Sequence, residues 1–319
     1  MTSPLPYYQD EQVTLLLGDA LEQLRTLTDG SVDCIVTSPP YYGLRDYGTP
    51  GQYGLESTPA AYVETMRALF AEARRVLAND GTLWLNLGDS YVCSPKGSES
   101  SANGLNGRSN HLTTPAGSGG KNGGGLAAKQ LIGIPWRTAF ALQDDGWILR
   151  NEIIWSKPNA MPESVRDRLS GRHEHLFMFA KQSSYWFDLD AIREPLTAPG
   201  RKAGARAFRA RDLNHERTGT GTYTGPDDRG RNPGDVWSIA TRPYPAAHFA
   251  VFPINLPIRC IKAGCKPGGT VLDPFSGSGT TGAAARQLGR KYVGIDLNPE
   301  YHDLARERFA QGVLDLPAV

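Results

Sequence analysis

Thr270-Val-Leu-Asp-Pro-Phe-Ser-Gly-Ser-Gly-Thr-Thr-Gly282 makes the architecture of this chain legible. Thr270 to Asp273 reads as a short apolar strand ending on an acid. Gly277, Gly279 and Gly282 follow at G-x-G-x-x-G spacing and open a helix that runs to Leu288. The next strand, Tyr292 to Ile295, ends on Asp296, and Asn298-Pro299 caps a last helix to about Gln311, stopped by Gly312. Glycines at a strand-to-helix turn let the backbone fold tightly and approach a ligand without a Cβ clash. Asp296, at the following strand end, is placed to accept hydrogen bonds from ribose hydroxyls. The glycine spacing alone is a weak signal; strand, turn, helix, strand and acid in order make it a nucleotide-type site. Only one helix follows Asp296, so the rest of the sheet must come from earlier in the chain.

Upstream, the same alternation recurs. Val13 to Leu17 is an apolar run ending in Gly18-Asp19, after which Leu21, Leu24 and Leu27 repeat at helical spacing. Val32 to Thr37 is a second run. Thr58-Pro59 has the form of an N-cap with proline at the first helical position, and Tyr62, Met66, Leu69, Phe70, Ala73 and Leu77 mark one helix face. Asn79-Asp80-Gly81 is read as the helix stop and Thr82 to Leu87 as a strand. A helix over Leu131 to Leu142 and strands over Trp147 to Trp155 and His175 to Lys181 complete the pattern of a parallel sheet covered by helices.

The ligand type follows from charge. A dinucleotide would set a pyrophosphate on the helix N-terminus, where an acidic neighbour is unfavourable. Asp273-Pro274-Phe275 puts a carboxylate just there, which suits a cationic ligand such as S-adenosylmethionine. The strand Val32 to Thr37 runs into Ser38-Pro39-Pro40-Tyr41. Two prolines fix φ and remove N–H donors, leaving a stiff loop with carbonyls free to accept. The Ser38 hydroxyl and Pro39 carbonyl could accept both hydrogens of a nucleobase amine and localise its lone pair. Tyr41 could stack on the ring; base–aromatic stacking is worth ~1–3 kcal/mol.

Thr37-Ser-Pro-Pro-Tyr41 early, with Val271-Leu-Asp-Pro-Phe-Ser-Gly-Ser-Gly-Thr-Thr281 late, resembles the DNA amino-methyltransferases that modify cytosine N4 or adenine N6. The order, catalytic loop first and cofactor loop last, resembles their beta group. Gly18-Asp19 is similar to the family's acid that meets the cofactor adenine. Gly294-Ile-Asp-Leu-Asn-Pro-Glu300 is similar to its ribose-binding strand end, and His248-Phe-Ala-Val-Phe-Pro253 to the segment near the methionine end. The resemblance implies a catalytic loop of Ser38, Pro39, Pro40 and Tyr41. It implies cofactor binding by Asp19, Phe252, Asp273, Phe275, Gly277, Ser278, Gly279, Thr280, Asp296 and Asn298, with S-adenosyl-L-methionine as cofactor. The expected fold is α/β: a Rossmann-like mixed, mostly parallel sheet with helices on both faces, circularly permuted, with a loop-rich target recognition region. Ser38, where many adenine-N6 enzymes carry Asp or Asn, leans the reading toward cytosine N4, with adenine N6 as the alternative. A nicotinamide-dependent oxidoreductase would explain the glycine turn and Asp296 but not the Ser38–Tyr41 loop.

Composition excludes other classes. Lys+Arg 34 against Asp+Glu 33 gives a net charge of +1, unlike a polybasic nucleic-acid coat. No apolar run reaches the length of a membrane span, and no signal-peptide pattern opens the chain, so a cytoplasmic setting is expected, which the resemblance makes prokaryotic or phage-encoded. Cys34, Cys93, Cys260 and Cys265 form no CxxC pair, and none follows a proline as a carbon-5 cytosine methyltransferase nucleophile would. His173-Glu174-His175 lacks a third ligand, so no metal is expected. Ser94 to Ala128 is rich in Gly, Ser and Asn and is read as a mobile insert, either an inert linker or a loop that orders on a ligand. Arg193 to Arg231 carries nine Arg or Lys against five acids, a phosphate-contacting or merely solvated segment.

The expected division is 1–182 as the catalytic half, with the insert 94–128; 183–240 as target recognition; and 241–319 as the cofactor half. Lys157, Asn159, Arg168 and Arg172 are candidate contacts to double-stranded DNA. A partner nuclease and a homodimer stay open, and the recognition sequence is not legible, because base contacts depend on three-dimensional placement.

Overall fold

The computed structural model describes residues 5–92, 123–195, 230–241 and 252–310. Nine strands form one open sheet: β1 (Tyr8–Gln9), β2 (Val13–Leu17), β3 (Val32–Thr37), β4 (Leu77–Leu87), β5 (Ile148–Ser156), β6 (His173–Ala180), β7 (Val236–Ser238), β8 (Thr270–Asp273) and β9 (Lys291–Asp296). Their spatial order is β1-β2-β9-β8-β3-β4-β6-β5-β7. Neighbours pair in parallel except at β1–β2, β4–β6 and β6–β5, so β1 and β6 alone run against the rest. The expected mixed, mostly parallel sheet is what the chain forms.

The permuted connection is visible in the pairing of distant segments. β2 lies beside β9 in register from Val13 opposite Tyr292 to Leu17 opposite Asp296, and β3 lies beside β8. The Gly18 N–H donates to the Asp296 carbonyl at 2.9 Å, extending this ladder past both strand ends. The last helix, α6 (Pro299–Ala310), is tied in too: buried His302 bonds the Leu16 carbonyl at 3.0 Å. The sheet half missing after Asp296 is thus the N-terminal one.

Two apolar cores sandwich the sheet, because side chains alternate between its faces. On one face lie α1 (Ala20–Thr26), α2 (Pro59–Val76) and α3 (Ile134–Asp144); on the other, α4 (Asn255–Gly264), α5 (Thr280–Gln287) and α6. Thr58 caps α2, accepting from the Ala61 N–H. Tyr62, Met66, Leu69, Phe70 and Ala73 are fully buried, each burial worth roughly 1.5–3 kcal/mol for the larger side chains.

The structure moves several boundaries. Asn79-Asp80-Gly81 is not a helix stop but part of β4. The helix ends at Val76, Leu77 turns extended, and the β3–β4 register jumps from Val32–Leu77 to Cys34–Thr82, so the three residues form a bulge. Strand β7 was not expected; Val236 pairs with Ile154, and buried Trp237 stacks at 6.2 Å on Trp84. The described parts of 183–240 pack onto this same sheet. Most of the 94–128 insert, and 196–229 within the basic segment, lie outside the described residues, as do Cys93 and 248–251.

Candidate active site

The C-terminal ends of β2, β9, β8, β3 and β4 deliver the candidate residues to one edge of the sheet, where open α/β sheets bind ligands. Asp296 closes β9. Its two oxygens accept from the Gly277 N–H at 2.8 Å and the Asn298 N–H at 2.9 Å. Burial raises its pKa. Asn298 in turn accepts from the Glu300 N–H and so caps α6. Asp19, beside it at the end of β2, caps α1 through the Glu22 N–H and accepts from the Tyr53 hydroxyl at 2.8 Å. Tyr53 meets Phe275 edge-on at 5.2 Å. Asp19, Tyr53, Phe275, Gly277 and Asp296 therefore form one contiguous wall.

The three glycines of the turn have different reasons. A Cβ on Gly279 would lie 2.7 Å from Ala305 Cβ, and one on Gly282 would lie 2.6 Å from the rings of Phe309 and Tyr292. Those two let α5 pack on α6 and β9. A Cβ on Gly277 would meet nothing within 4 Å, so this is the glycine with an open face. The Ser278 hydroxyl is buried without a partner. Thr280 is held by Arg308 at 2.5 Å.

Asp273 is placed otherwise than its charge suggested. It is 1% exposed, accepting from Thr37 Oγ1 and Thr281 Oγ1, both at 2.7 Å, and from the Phe275 N–H at 3.1 Å. Burial pushes its pKa up to about 6 against these bonds. It is a strut joining the end of β3 to the glycine turn, and its bonds turn inward rather than toward a ligand. Phe252 is half-buried and packs against the core on the α4–α5–α6 face.

The Ser38–Tyr41 loop leaves β3 beside this strut. The Pro40 carbonyl accepts from Tyr62 Oη at 3.0 Å; among the described residues nothing donates to the Pro39 carbonyl. The Tyr41 ring lies on Gly88, where a Cβ would come within 2.5 Å of it. Its hydroxyl donates to Glu174 Oε2 at 2.6 Å and accepts from Asn86 Nδ2 at 2.7 Å and from Ser38 Oγ at 3.2 Å. Asn86 Nδ2 also donates to Glu174 Oε2 at 2.7 Å, and the other Glu174 oxygen accepts from Lys157 Nζ. Burial and the neighbouring Glu174 carboxylate hold the Tyr41 phenol well above its ordinary pKa.

Sequence reasoning missed Tyr53, Asn86 and Glu174. A signal for Glu174 existed: in His173-Glu-His-Leu-Phe-Met-Phe179 it shares strand parity with buried Leu176 and Met178, and a carboxylate there needs a partner. The flanking histidines face the other way, His175 bonding Glu152 at 2.6 Å. No group of three His, Cys, Asp or Glu that could hold a metal occurs among the described residues.

Of the four candidate DNA contacts, Lys157 points into the Glu174 network, with its ammonium 4.5 Å from the Trp155 ring centroid. Asn159 is bonded to Thr241, and Arg168 to Glu163 while lying over the Tyr91 ring at 4.1 Å. Arg172 is exposed, its carbonyl accepting from the Lys157 N–H.

Residues 32–307 match the family model described as DNA methylase, the N6 and N4 methyltransferases. The chain belongs to this DNA methylase family. It is 48% identical to the type II methyltransferase M.Cfr9I of Citrobacter freundii, over 92% of this chain and 87% of that one. Its fold is similar to that of the PvuII DNA methyltransferase (cytosine-N4-specific), with TM-score 0.65, 19% identity, and 97% and 90% of the two chains covered. It is also similar to the putative DNA modification methylase TTHA0409 of Thermus thermophilus, solved with S-adenosyl-L-methionine, with TM-score 0.57, 24% identity, and 96% and 97% covered. Family membership sets aside the oxidoreductase reading. No helix among the described residues is long and apolar enough to cross a membrane.

Proposed function

We propose that this DNA methylase takes its methyl group from S-adenosylmethionine and places it on cytosine N4 of duplex DNA, with the target base turned out of the stack. The observation that carries the reading is the Ser38 hydroxyl. It stands at the end of β3, tied through Thr37 and Asp273 to the glycine turn, with its proton directed to Tyr41 and its oxygen left as an acceptor. A base inside a duplex cannot reach such a group and must be extruded.

The residues present suit the cofactor. Its ribose hydroxyls and cationic groups call for acids, and Asp19 and Asp296 stand side by side at adjacent strand ends. Gly277 leaves room for close approach, and the buried Ser278 hydroxyl awaits a partner. These, with Phe275, would hold it; Asp273, Gly279, Thr280 and Asn298 shape the turn from behind. When bound, S-adenosylmethionine supplies an electrophilic methyl group. The protein's part is to orient the amine. Ser38 Oγ and the Pro39 carbonyl accept its two hydrogens, which holds the nitrogen pyramidal with its lone pair localised. The three described free thiols are all buried, and burial raises the Cys34 thiol well above its ordinary pKa, so no thiolate attack on cytosine carbon 5 is offered.

Cytosine is favoured over adenine because Ser38 stands where an acid or amide would suit adenine N6. The described 183–195 and 230–241, with 196–229 between them, are assigned to target recognition, and Arg172 is the candidate DNA contact whose side chain has no partner among the described residues. Ser38→Ala and Tyr41→Ala are expected to lose about 10²-fold or more in methyl transfer, the scale of a positioned proton-transfer group, while cofactor binding by calorimetry survives. Equal loss of both activities would contradict the site. Nucleoside mass spectrometry of treated DNA is expected to show N4-methylcytosine; N6-methyladenine alone would favour the adenine reading.

A further inference from the structure

Glu174 has no place in the chemistry so far, yet it anchors the catalytic loop. Its side chain is 16% exposed and pairs with Lys157, itself 20% exposed. A carboxylate in such a pair only accepts hydrogen bonds. That constraint turns the neighbouring donors toward it. Asn86 must turn its amide NH2 toward Glu174, and its Oδ1 is accordingly left buried without a partner. The Tyr41 oxygen already accepts from Asn86, so its own proton goes to Glu174. The second lone pair of Tyr41 then accepts from Ser38. Ser38 Oγ, its proton turned inward, keeps a lone pair for an incoming N–H, since Asn86 Nδ2 approaches it only at 3.4 Å.

From this directed chain we infer that Glu174 is a positioning residue for methyl transfer, fixing Ser38 as an acceptor and receiving through Tyr41 the proton that the methylated amine must lose. The inference rests on the amino-methyltransferase reading above. The step balances. An exocyclic amine that has gained a methyl group carries one proton too many. Its N–H bond breaks as an O–H bond forms on Ser38; the Ser38 proton passes to Tyr41, and the Tyr41 proton to Glu174 Oε2. The amine ends neutral, both hydroxyls are restored, and the charge is lost on Glu174. Asn86 cannot take this role, because an amide does not accept a proton at neutral pH. Lys157 stays paired with the other oxygen of that carboxylate.

The test is single-turnover methylation of duplex DNA by wild type, Glu174→Gln, Tyr41→Phe and the double variant, with cofactor and DNA affinities measured separately. Gln keeps the shape of Glu but not its charge, and Phe keeps the ring on Gly88. Each single variant is expected to slow the rate about 10²-fold with both affinities within about threefold of wild type, and the double is expected to be no slower than either single. A rate within about threefold of wild type in either single variant, losses that multiply in the double, or affinities that fall with the rate would each overturn the inference. If Glu174→Gln fails to melt as a folded protein, Tyr41→Phe decides alone, since it leaves the Glu174–Lys157 pair intact. Wild-type protein that methylates no DNA amine would instead overturn the reading on which this rests.

Discussion

Gly277 and Gly279 sit two residues apart with similar left-handed backbones, φ 50° and 74°, yet the space around them differs completely. Alanine at 279 meets Ala305 and Phe309, so the left-handed penalty of roughly 1–2 kcal/mol adds to an overpacking cost of roughly 1–3 kcal/mol. Gly279→Ala is therefore expected to lose about 2–5 kcal/mol in urea denaturation. Gly277→Ala meets open space, so it is expected to lose only about 1–2 kcal/mol of stability but to bind S-adenosylmethionine more weakly by calorimetry. Similar stability losses in the two variants would contradict the division. At this scale the sequence identified which residues matter better than why. G-x-G-x-x-G spacing marks the turn, but whether a missing Cβ makes room for a ligand or for Phe309 depends on α6, which arrives from elsewhere. Tyr53 and Asn86 were invisible for the same reason, since each is defined only by its partner across the chain.

At the scale of elements, Asp273 shows how a motif residue can serve the frame. Its carboxylate ties β3, β8 and α5 together, and burial raises its pKa from 3.8 to about 6. A carboxylate raised on folding binds its proton more tightly in the folded state. Its contribution to stability is therefore full below about pH 4 and is lost as pH rises through about 6. A shift of about two units corresponds to about 3 kcal/mol in full, of which about 1 kcal/mol remains at pH 5. Asp273→Asn has no such titration. Urea denaturation at pH 5 and pH 8 is expected to show wild type losing about 1 kcal/mol more than the variant over that interval. An identical pH difference in both proteins would contradict it. Element types were legible wherever periodicity was strong: α2 declared itself through Tyr62, Met66, Leu69 and Phe70. The start of β4 was not, because Asn79-Asp80-Gly81 has helix-stopping chemistry and the β3 neighbour that makes it a bulge lies in another part of the chain.

For the whole molecule, the sheet is completed by its own distant ends, as one helix after Asp296 had required. The near-neutral net charge is compatible with a cationic surface confined to one segment. Glu194 and Arg231 close that segment's base through paired backbone hydrogen bonds of 2.9 and 3.0 Å, while Arg259 and Arg231 clasp the Glu194 carboxylate. Replacing 196–229 by a short Gly-Ser linker is thus expected to preserve cofactor binding. It removes seven Arg or Lys and four acids, so DNA affinity is expected to fall and its salt dependence to become shallower in filter binding across a salt series. Unchanged affinity and slope would remove the segment from DNA recognition. Glu174 was legible from its strand parity but overshadowed: a strand histidine pair drew attention to metal chemistry, while the acid between them faced the catalytic loop. The proposed function depends on Ser38 directing a methyl group to cytosine N4. That role is tested most directly by nucleoside mass spectrometry of DNA from cells expressing the wild-type chain or its Ser38→Ala variant. N4-methylcytosine is expected with wild type and not with the variant; N6-methyladenine in its place, or N4-methylcytosine undiminished in the variant, would contradict the claim.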